Sequence, residues 1–181
     1  GVRAAPHGHA DRRSRYRPEC DHRRLLALHD RARTGKGQAI DITLYDSAIA
    51  LLHPHAANYL MSGKPPRRIG NAHPNISPYD AFKTGTKSIF LAVGNDRQFE
   101  RLCAELGAPD LPKDPRFRSN ADRVVNRDAL RIELERLLLN HDGVRLADRL
   151  MRLGVPAGAV LDIPDVLNSP HARHRQMVLA D

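Results

Sequence analysis

The residues of this chain that could do chemistry are concentrated in one loop, Gly70-Asn-Ala-His-Pro-Asn75. Gly70 lets the backbone approach a ligand closely, and the imidazole and amide groups offer hydrogen-bond donors. The surrounding stretch, residues 63–79, holds four prolines and two glycines. Long loops of this kind are often functional, although an interdomain linker with an exposed histidine has the same composition. The predicted substrate-binding residues are Gly70, Asn71, Ala72, His73, Pro74 and Asn75.

Other motifs carry weaker signals. Thr34-Gly-Lys-Gly-Gln38 lacks the spacing of a phosphate-binding loop and precedes a predicted strand, so it is interpreted as a turn. His53 and His55 are two residues apart, a spacing that directs helical side chains to different faces, and no Cys or carboxylate cluster completes a metal site. Asp41 and Asp46 have no paired-carboxylate spacing. The sequence therefore predicts no metal site, and spacing alone identifies no catalytic residue.

Charge is distributed unevenly along the chain. The net charge is +8, but residues 1–33 hold nine arginines against four acidic residues, whereas the remaining 148 hold 20 basic and 17 acidic residues. The first 24 residues show no apolar periodicity and almost no large aliphatic side chains, which predicts a disordered basic segment. A nucleic-acid-binding tail is an alternative, but the nearly balanced body makes nucleic acid an improbable partner.

Periodicity predicts an α/β fold. We expect a helix ending near Ala32, a strand over Ala39–Leu44, a helix over Tyr45–Met61 kinked at Pro54, and a β-hairpin over Tyr79–Val93. Helices should follow, starting near Asn95, near Asn120 or Asn126, after Asp142 and after Asp162, with a strand over Ala157–Leu161. With no Trp and four Phe, the core must be mostly aliphatic.

Two cysteines without redox or metal spacing, Cys20 and Cys103, predict reduced thiols and a cytoplasmic location. No apolar run is long enough to span a membrane, and the sequence displays no signal-peptide pattern, so no membrane association is expected.

Several short segments together resemble the family III CoA-transferases, the group that includes formyl-CoA transferase, crotonobetainyl-CoA:carnitine CoA-transferase and α-methylacyl-CoA racemase. The resemblance runs from about Leu25 to Asp181, and it rests on the order and spacing of the segments. They are Leu28–Gln38, Asp41–Ser47, Arg68–Asn75 with Pro78-Tyr79, Val93–Phe99, Asp114–Phe117, Asn126-Arg127 and Gly154–Gly158.

The resemblance implies a division of the chain. Residues 25–69 correspond to a remnant of the nucleotide-binding-like large domain and a linker, residues 70–170 to the small α/β domain, and residues 171–181 to the start of the returning segment. Residues 1–24 depart from the family pattern and are interpreted as disordered or frame-shifted.

The resemblance also implies chemistry. In the family's transferases an Asp carboxylate attacks the acyl-CoA thioester, and CoA then passes to a second carboxylic acid. That Asp would fall near Arg13, where Asp11 lacks the expected context, so the nucleophile is predicted to be missing. The chain is therefore expected to be a truncated, inactive member, with an acyl-CoA and a carboxylic acid as substrates, no bound cofactor, and an interlocked homodimer in intact members. A racemase-type member remains an alternative.

Overall fold

The structure is a computed structural model that describes the backbone of residues 10–178 and the side chains of residues 20–178. The chain divides into two compact units, Gly1–Gly70 and Asn71–Asp181. This division lies one residue from the predicted boundary between residues 69 and 70. Each unit is described separately below.

From residue 10 onward the first unit contains three helices: α1 (Ala10–Thr34), α2 (Leu44–Ala50) and α3 (His55–Ser62). Helix α1 covers residues 10–24, for which the sequence predicts disorder; residues 1–9 lie outside the described part. Alanine and arginine have high helix propensity, so a helix can form locally without an apolar face. The leucines near the end of α1 are exposed, with 63% of Leu25 and 68% of Leu26 accessible to solvent.

One prediction for the first unit is wrong, and a second, the helix with its kink at Pro54, is confirmed only in part. The strand expected over Ala39–Leu44 is absent, because residues 39–43 lie in neither a helix nor a strand and Leu44 begins α2. A strand needs a hydrogen-bonded neighbour, and every strand in the described residues lies in the second unit. The helix expected over Tyr45–Met61 is interrupted at residues 51–54 and restarts after Pro54, which cannot donate a backbone hydrogen bond.

The second unit is built on a three-stranded antiparallel sheet with the order β1-β2-β3. Strands β1 (Tyr79–Phe82) and β2 (Ile89–Ala92) form the predicted hairpin, in which Tyr79 lies opposite Ala92. Strand β3 (Ala157–Ala159) pairs with the other edge of β2. It is shorter than the predicted strand over Ala157–Leu161.

The described part of the second unit also contains a 3-10 helix at Leu111–Lys113 and six α-helices: α4 (Asp96–Glu105), α5 (Asn120–Val125), α6 (Arg127–Leu138), α7 (Gly143–Arg152), α8 (Ile163–Leu167) and α9 (Pro170–His174). The side chains of Asn95, Asp142 and Asp162 cap α4, α7 and α8 as predicted. Ser119 caps α5 by accepting a hydrogen bond from the Asp122 N–H, and Asn126, the predicted alternative to Asn120, stands at the N-cap position of α6 without a side-chain capping bond. Helix α9 was not predicted, since five residues carry too little periodicity to reveal it.

One aliphatic core holds the second unit together. It draws buried side chains from the sheet, from α4, and from the inner faces of α6 and α7. The core residues include Phe82, Ile89, Leu91, Val93, Phe99, Leu102, Phe117, Leu130, Leu134, Leu138, Leu146, Leu150 and Val155. Each buried Leu, Ile or Phe contributes roughly 1.5–3 kcal/mol by leaving water, so this core fixes the sheet against α4, α6 and α7.

The start of α7 lies directly against the turn of the hairpin. The Gly143 N–H donates to Thr86 Oγ1 (3.0 Å), and the Thr86 hydroxyl donates to the Asp142 carboxylate (3.2 Å). A Cβ on Gly143 would collide with the carbonyl oxygen of Lys87. This close approach explains why a glycine occupies the first position of α7.

Candidate functional site

The predicted substrate loop spans the boundary between the two units. Gly70 ends the first unit with a φ of +67°, a conformation that favours glycine. Asn71 to Asn75 belong to the second unit and are held by it. The site described here is therefore the segment from Asn71 to Asn75 and the side chains that contact it.

His73 has a defined place in this loop. Its backbone N–H donates to the carbonyl oxygen of Tyr79 (3.0 Å), and its ring centroid lies 5.1 Å from that of Tyr79. The backbone N–H of Asn75 donates to His73 Nδ1 (3.1 Å). Because Nδ1 acts as the acceptor, the neutral imidazole carries its proton on Nε2.

Side chains from α5 and α6 bind the backbone of the loop. Arg127 Nη2 donates to the carbonyl oxygens of His73 (2.8 Å) and Pro74 (3.3 Å). Asn120 Nδ2 donates to the carbonyl oxygen of Asn75 (2.9 Å), and Asn120 Oδ1 accepts from the Ser77 N–H (3.2 Å). The loop conformation is therefore tied to two helices that follow it by about 45 to 54 residues in sequence.

Arg123 supports the end of the same loop from inside the protein. Its side chain is completely buried and lies over the ring of Phe99 at 4.5 Å. The guanidinium donates to the carbonyl oxygens of Ser77 (2.8 Å) and Phe117 (3.0 Å) and to the Asp96 carboxylate (2.7 Å). This network satisfies a buried charge and fixes the chain where the loop enters β1.

Sequence reasoning missed Asn120 and Arg123 as contributors to the site and considered Asn120 only as one of two possible helix caps, with Asn126 as the other. Arg127 was part of the Asn126-Arg127 segment that carried the family resemblance, but no role was assigned to it. Long-range contacts such as theirs leave no spacing signature in the sequence.

The carboxylate that follows the loop is already engaged. Asp80 forms an ion pair with Arg131, and its Oδ1 accepts the N–H of Ala81 (2.7 Å). Arg131 also lies over the ring of Phe82 at 4.8 Å. A carboxylate that accepts charge-assisted hydrogen bonds is a weak nucleophile, so Asp80 does not fit the role of an attacking group.

The thiol of Cys103 is also unsuited to catalysis. Burial raises the pKa of Cys103 to about 12, and the charge of Arg123 only partly opposes this shift. The thiol is therefore protonated at neutral pH and belongs to the core.

A small cavity lies beside the loop. A cavity of about 10 Å³ lies among Ser77, Asp80, Phe82, Arg127 and Arg131 and has room for about one water molecule. Among residues 20–178 no group of three His, Cys, Asp or Glu side chains is arranged to hold a metal ion. None of the described helices is long and apolar enough to cross a membrane.

Comparison with known proteins decides the family. The sequence model of CoA-transferase family III matches residues 24–180. The chain belongs to the CoA-transferase family III. This family III assignment confirms the resemblance predicted from Leu25 onward.

Two curated relatives illustrate the family III match. The acetyl-CoA:oxalate CoA-transferase of Acetobacter aceti is 40% identical over 153 residues, which cover 84% of this chain and 39% of that protein. The succinate–glutarate CoA-transferase of Agrobacterium fabrum is 40% identical over 149 residues, covering 82% and 37%. The chain therefore spans about 40% of the length of these relatives.

Solved structures agree on the fold. A CAIB/BAIF family protein from Brucella suis is 44% identical with a TM-score of 0.65, covering 86% of this chain and 41% of that one. Rv3272 from M. tuberculosis is 26% identical with a TM-score of 0.70, covering 86% and 39%. The predicted α/β fold class of a family III segment is confirmed.

Proposed function

We propose that intact members of this family to which the chain corresponds move CoA from an acyl-CoA to a carboxylic acid, that this chain supplies only part of the substrate site, and that its loop from Gly70 to Asn75 faces the acid. The observation that carries the proposal is the 40% identity to two enzymes named as CoA-transferases over 82–84% of the chain. Oxalate and glutarate, which those names contain, are short dicarboxylic acids. We therefore propose a short dicarboxylic acid as the acceptor and a CoA thioester as the donor.

The role of the chain in that reaction is to shape the substrate site. The loop is ordered by Arg127 and Asn120, and it carries imidazole and amide donors suited to carboxylate oxygens. Asp80, the carboxylate next to the loop, is engaged by Arg131. The attacking carboxylate of the family mechanism is thus assigned to no described residue.

Assembly and location belong to the same proposal. We propose a homodimer, as the family resemblance implies, which sedimentation equilibrium of the purified protein would test. We also propose a cytoplasmic location, supported by the two free cysteines, Cys20 and Cys103, which are typical of a reducing compartment.

A graft tests the proposed function directly. Residues 25–178 would replace the matching segment of the Acetobacter aceti relative, and CoA transfer from acetyl-CoA to oxalate would be measured. We expect the graft to be active and to lose about 100-fold in kcat/KM when His73 and Asn75 are both replaced by Ala, because small misplacements at a reacting centre are costly. Lys113→Ala, at an exposed ion pair with Asp110, is the control and should leave kcat/KM unchanged.

Two results would count against the proposed function. A graft that folds, as judged by circular dichroism and gel filtration, but transfers no CoA would contradict the function. The chain by itself should convert no acetyl-CoA and oxalate to oxalyl-CoA in an assay of CoA esters by liquid chromatography. Turnover by the chain alone would show that a nucleophile had been overlooked.

A further inference from the structure

Three consecutive carbonyl groups of the loop are turned toward the body of the second unit. The carbonyl oxygens of His73 and Pro74 accept from Arg127, and that of Asn75 accepts from Asn120. The donors come from the first positions of α6 and α5, respectively. The loop backbone is therefore oriented by side chains, in addition to its own turns.

Arg127 is itself held firmly. It begins α6, whose inner residues Leu130, Leu134 and Leu138 are buried in the core. Because the core fixes α6, the Arg127 side chain has a defined position relative to the loop that it contacts. One nitrogen, Nη2, makes both carbonyl contacts, so a single charged donor fixes two adjacent peptide groups.

The orientation of these peptide groups has an electrostatic consequence. A carbonyl oxygen is the negative end of the peptide dipole, and three of them point toward α5 and α6. Because Arg127 and Asn120 hold these oxygens, the carbonyl groups cannot turn outward, where their negative ends would repel an anion. A dicarboxylic acid is an anion, whereas the reacting end of an acyl thioester is neutral.

We propose that Arg127 is a positioning residue that orients the loop for the acid substrate, with Asn120 as its helper; this rests on the proposed function. Arg127 acts through the His73 and Pro74 peptides and does not touch the acid. Its loss should loosen the loop and weaken recognition of the acid while sparing the acyl-CoA.

The first arm of the test uses the full chain without substrate. Arg127→Met keeps the length of the side chain but removes the donor, and Arg127→Lys restores one charged donor. Arg136→Met, on the same helix at an exposed pair with Glu133, is the matched control. Amide hydrogen exchange and the ¹⁵N shifts of the His73 ring would be measured by NMR.

We expect Arg127→Met to speed exchange of the His73 and Asn75 amides about tenfold, as loss of a charge-assisted hydrogen bond implies. The His73 ring should shift from the Nε2–H tautomer toward a mixture, because the Asn75 N–H no longer holds Nδ1. Arg127→Lys should recover most of the protection, and Arg136→Met should match the wild type. The buried Val155 amide should be unaffected in all variants.

The second arm introduces the same variants into the Acetobacter graft described above. Arg127→Met should raise the KM for oxalate about tenfold with the KM for acetyl-CoA unchanged, and Arg127→Lys should lie close to the wild type. An unchanged loop in the first arm, an equal acceleration at Val155, or equal rises in both KM values would each overturn the positioning role. A wild-type graft without activity would instead overturn the proposed function, while the exchange rates of the first arm still decide whether Arg127 holds the loop.

Discussion

Arg123 combines complete burial with a formal charge, an arrangement that is stable only when every donor is matched. Two backbone carbonyls, one carboxylate and the face of Phe99 surround the guanidinium. The carboxylate partner, Asp96, is itself 58% exposed. The pair therefore joins the core to the surface, and loss of hydration costs more for the buried arginine than for the exposed aspartate.

Replacing Arg123 should destabilise the second unit strongly. Arg123→Met leaves the Ser77 and Phe117 carbonyls buried without their donor, and we expect the free energy of unfolding to fall by ~3 kcal/mol. Urea unfolding followed by circular dichroism measures the change. Arg136→Met removes an exposed arginine and should cost no more than ~0.5 kcal/mol; equal losses in the two variants would contradict the assigned role of Arg123.

At this scale the sequence predicted the loop but not what holds it. Gly70, His73 and the neighbouring amides stand out because glycine, proline and asparagine are clustered locally. Their anchors, Asn120 and Arg127, lie on helices whose sequences look ordinary. Only the packing of α5 and α6 in the folded unit brings these side chains to the loop backbone.

The cap of α7 is sensitive to pH because its capping group, Asp142, is a carboxylate. The Asp142 carboxylate accepts the Arg145 N–H (2.9 Å) and the Thr86 hydroxyl. The backbone hydrogen bond from Arg145 is the main cause that lowers the pKa of Asp142 from 3.8, and the Thr86 hydroxyl adds to it. The stabilisation is therefore fully present above pH 3.8 and is lost as the pH falls through the lower pKa of the folded state.

Lowering the pH should destabilise the protein as the Asp142 carboxylate becomes protonated. We expect the urea midpoint of the wild type to fall between about pH 5 and pH 2, since other carboxylates with lowered pKa values titrate in the same range. Asp142→Asn keeps a capping oxygen that does not titrate, so its midpoint should fall less over that range. If the urea midpoints of the two proteins fell equally as the pH was lowered, Asp142 would contribute nothing to the loss of stability in acid.

The success of sequence reasoning differed between kinds of element. Helices that begin at Asn95, Asp142 and Asp162 were predicted correctly because a capping side chain is a local signal. The prediction of a strand over Ala39–Leu44 was wrong. Alternating apolar and polar residues show that a segment could fit into a sheet, but a strand also needs a hydrogen-bonded neighbour from another part of the chain. Elements defined by local contacts are therefore predictable here, and those defined by a distant partner are not.

For the molecule as a whole, the two units differ in how their apolar residues are used. From Cys20 to Gly70 no described residue is buried, and Leu60 and Met61 are 82% and 89% exposed. The second unit encloses the whole of the aliphatic core. A unit without buried side chains gains little from the hydrophobic effect, so the second unit is expected to carry the stability of the chain.

Limited proteolysis should separate the units. Trypsin should cut at the exposed Arg67 and Arg68 and leave a resistant fragment that begins near Ile69, identified by mass spectrometry. Leu134→Ala, which removes a completely buried side chain, should cost about 2–5 kcal/mol and shorten the lifetime of that fragment. Cleavage at Arg101 and Arg118 as fast as at Arg67 would refute the difference in stability.

The contact between Gly143 and the hairpin turn has a consequence for how related sequences can diverge. Any side chain at position 143 would strike the Lys87 carbonyl, while Thr86 is bonded to both Gly143 and Asp142. A substitution at one of these positions therefore changes which side chains fit at the other. Across homologous proteins, residues 84–87 and 141–143 should therefore evolve together, with lengthening of the turn compensated at the start of the helix.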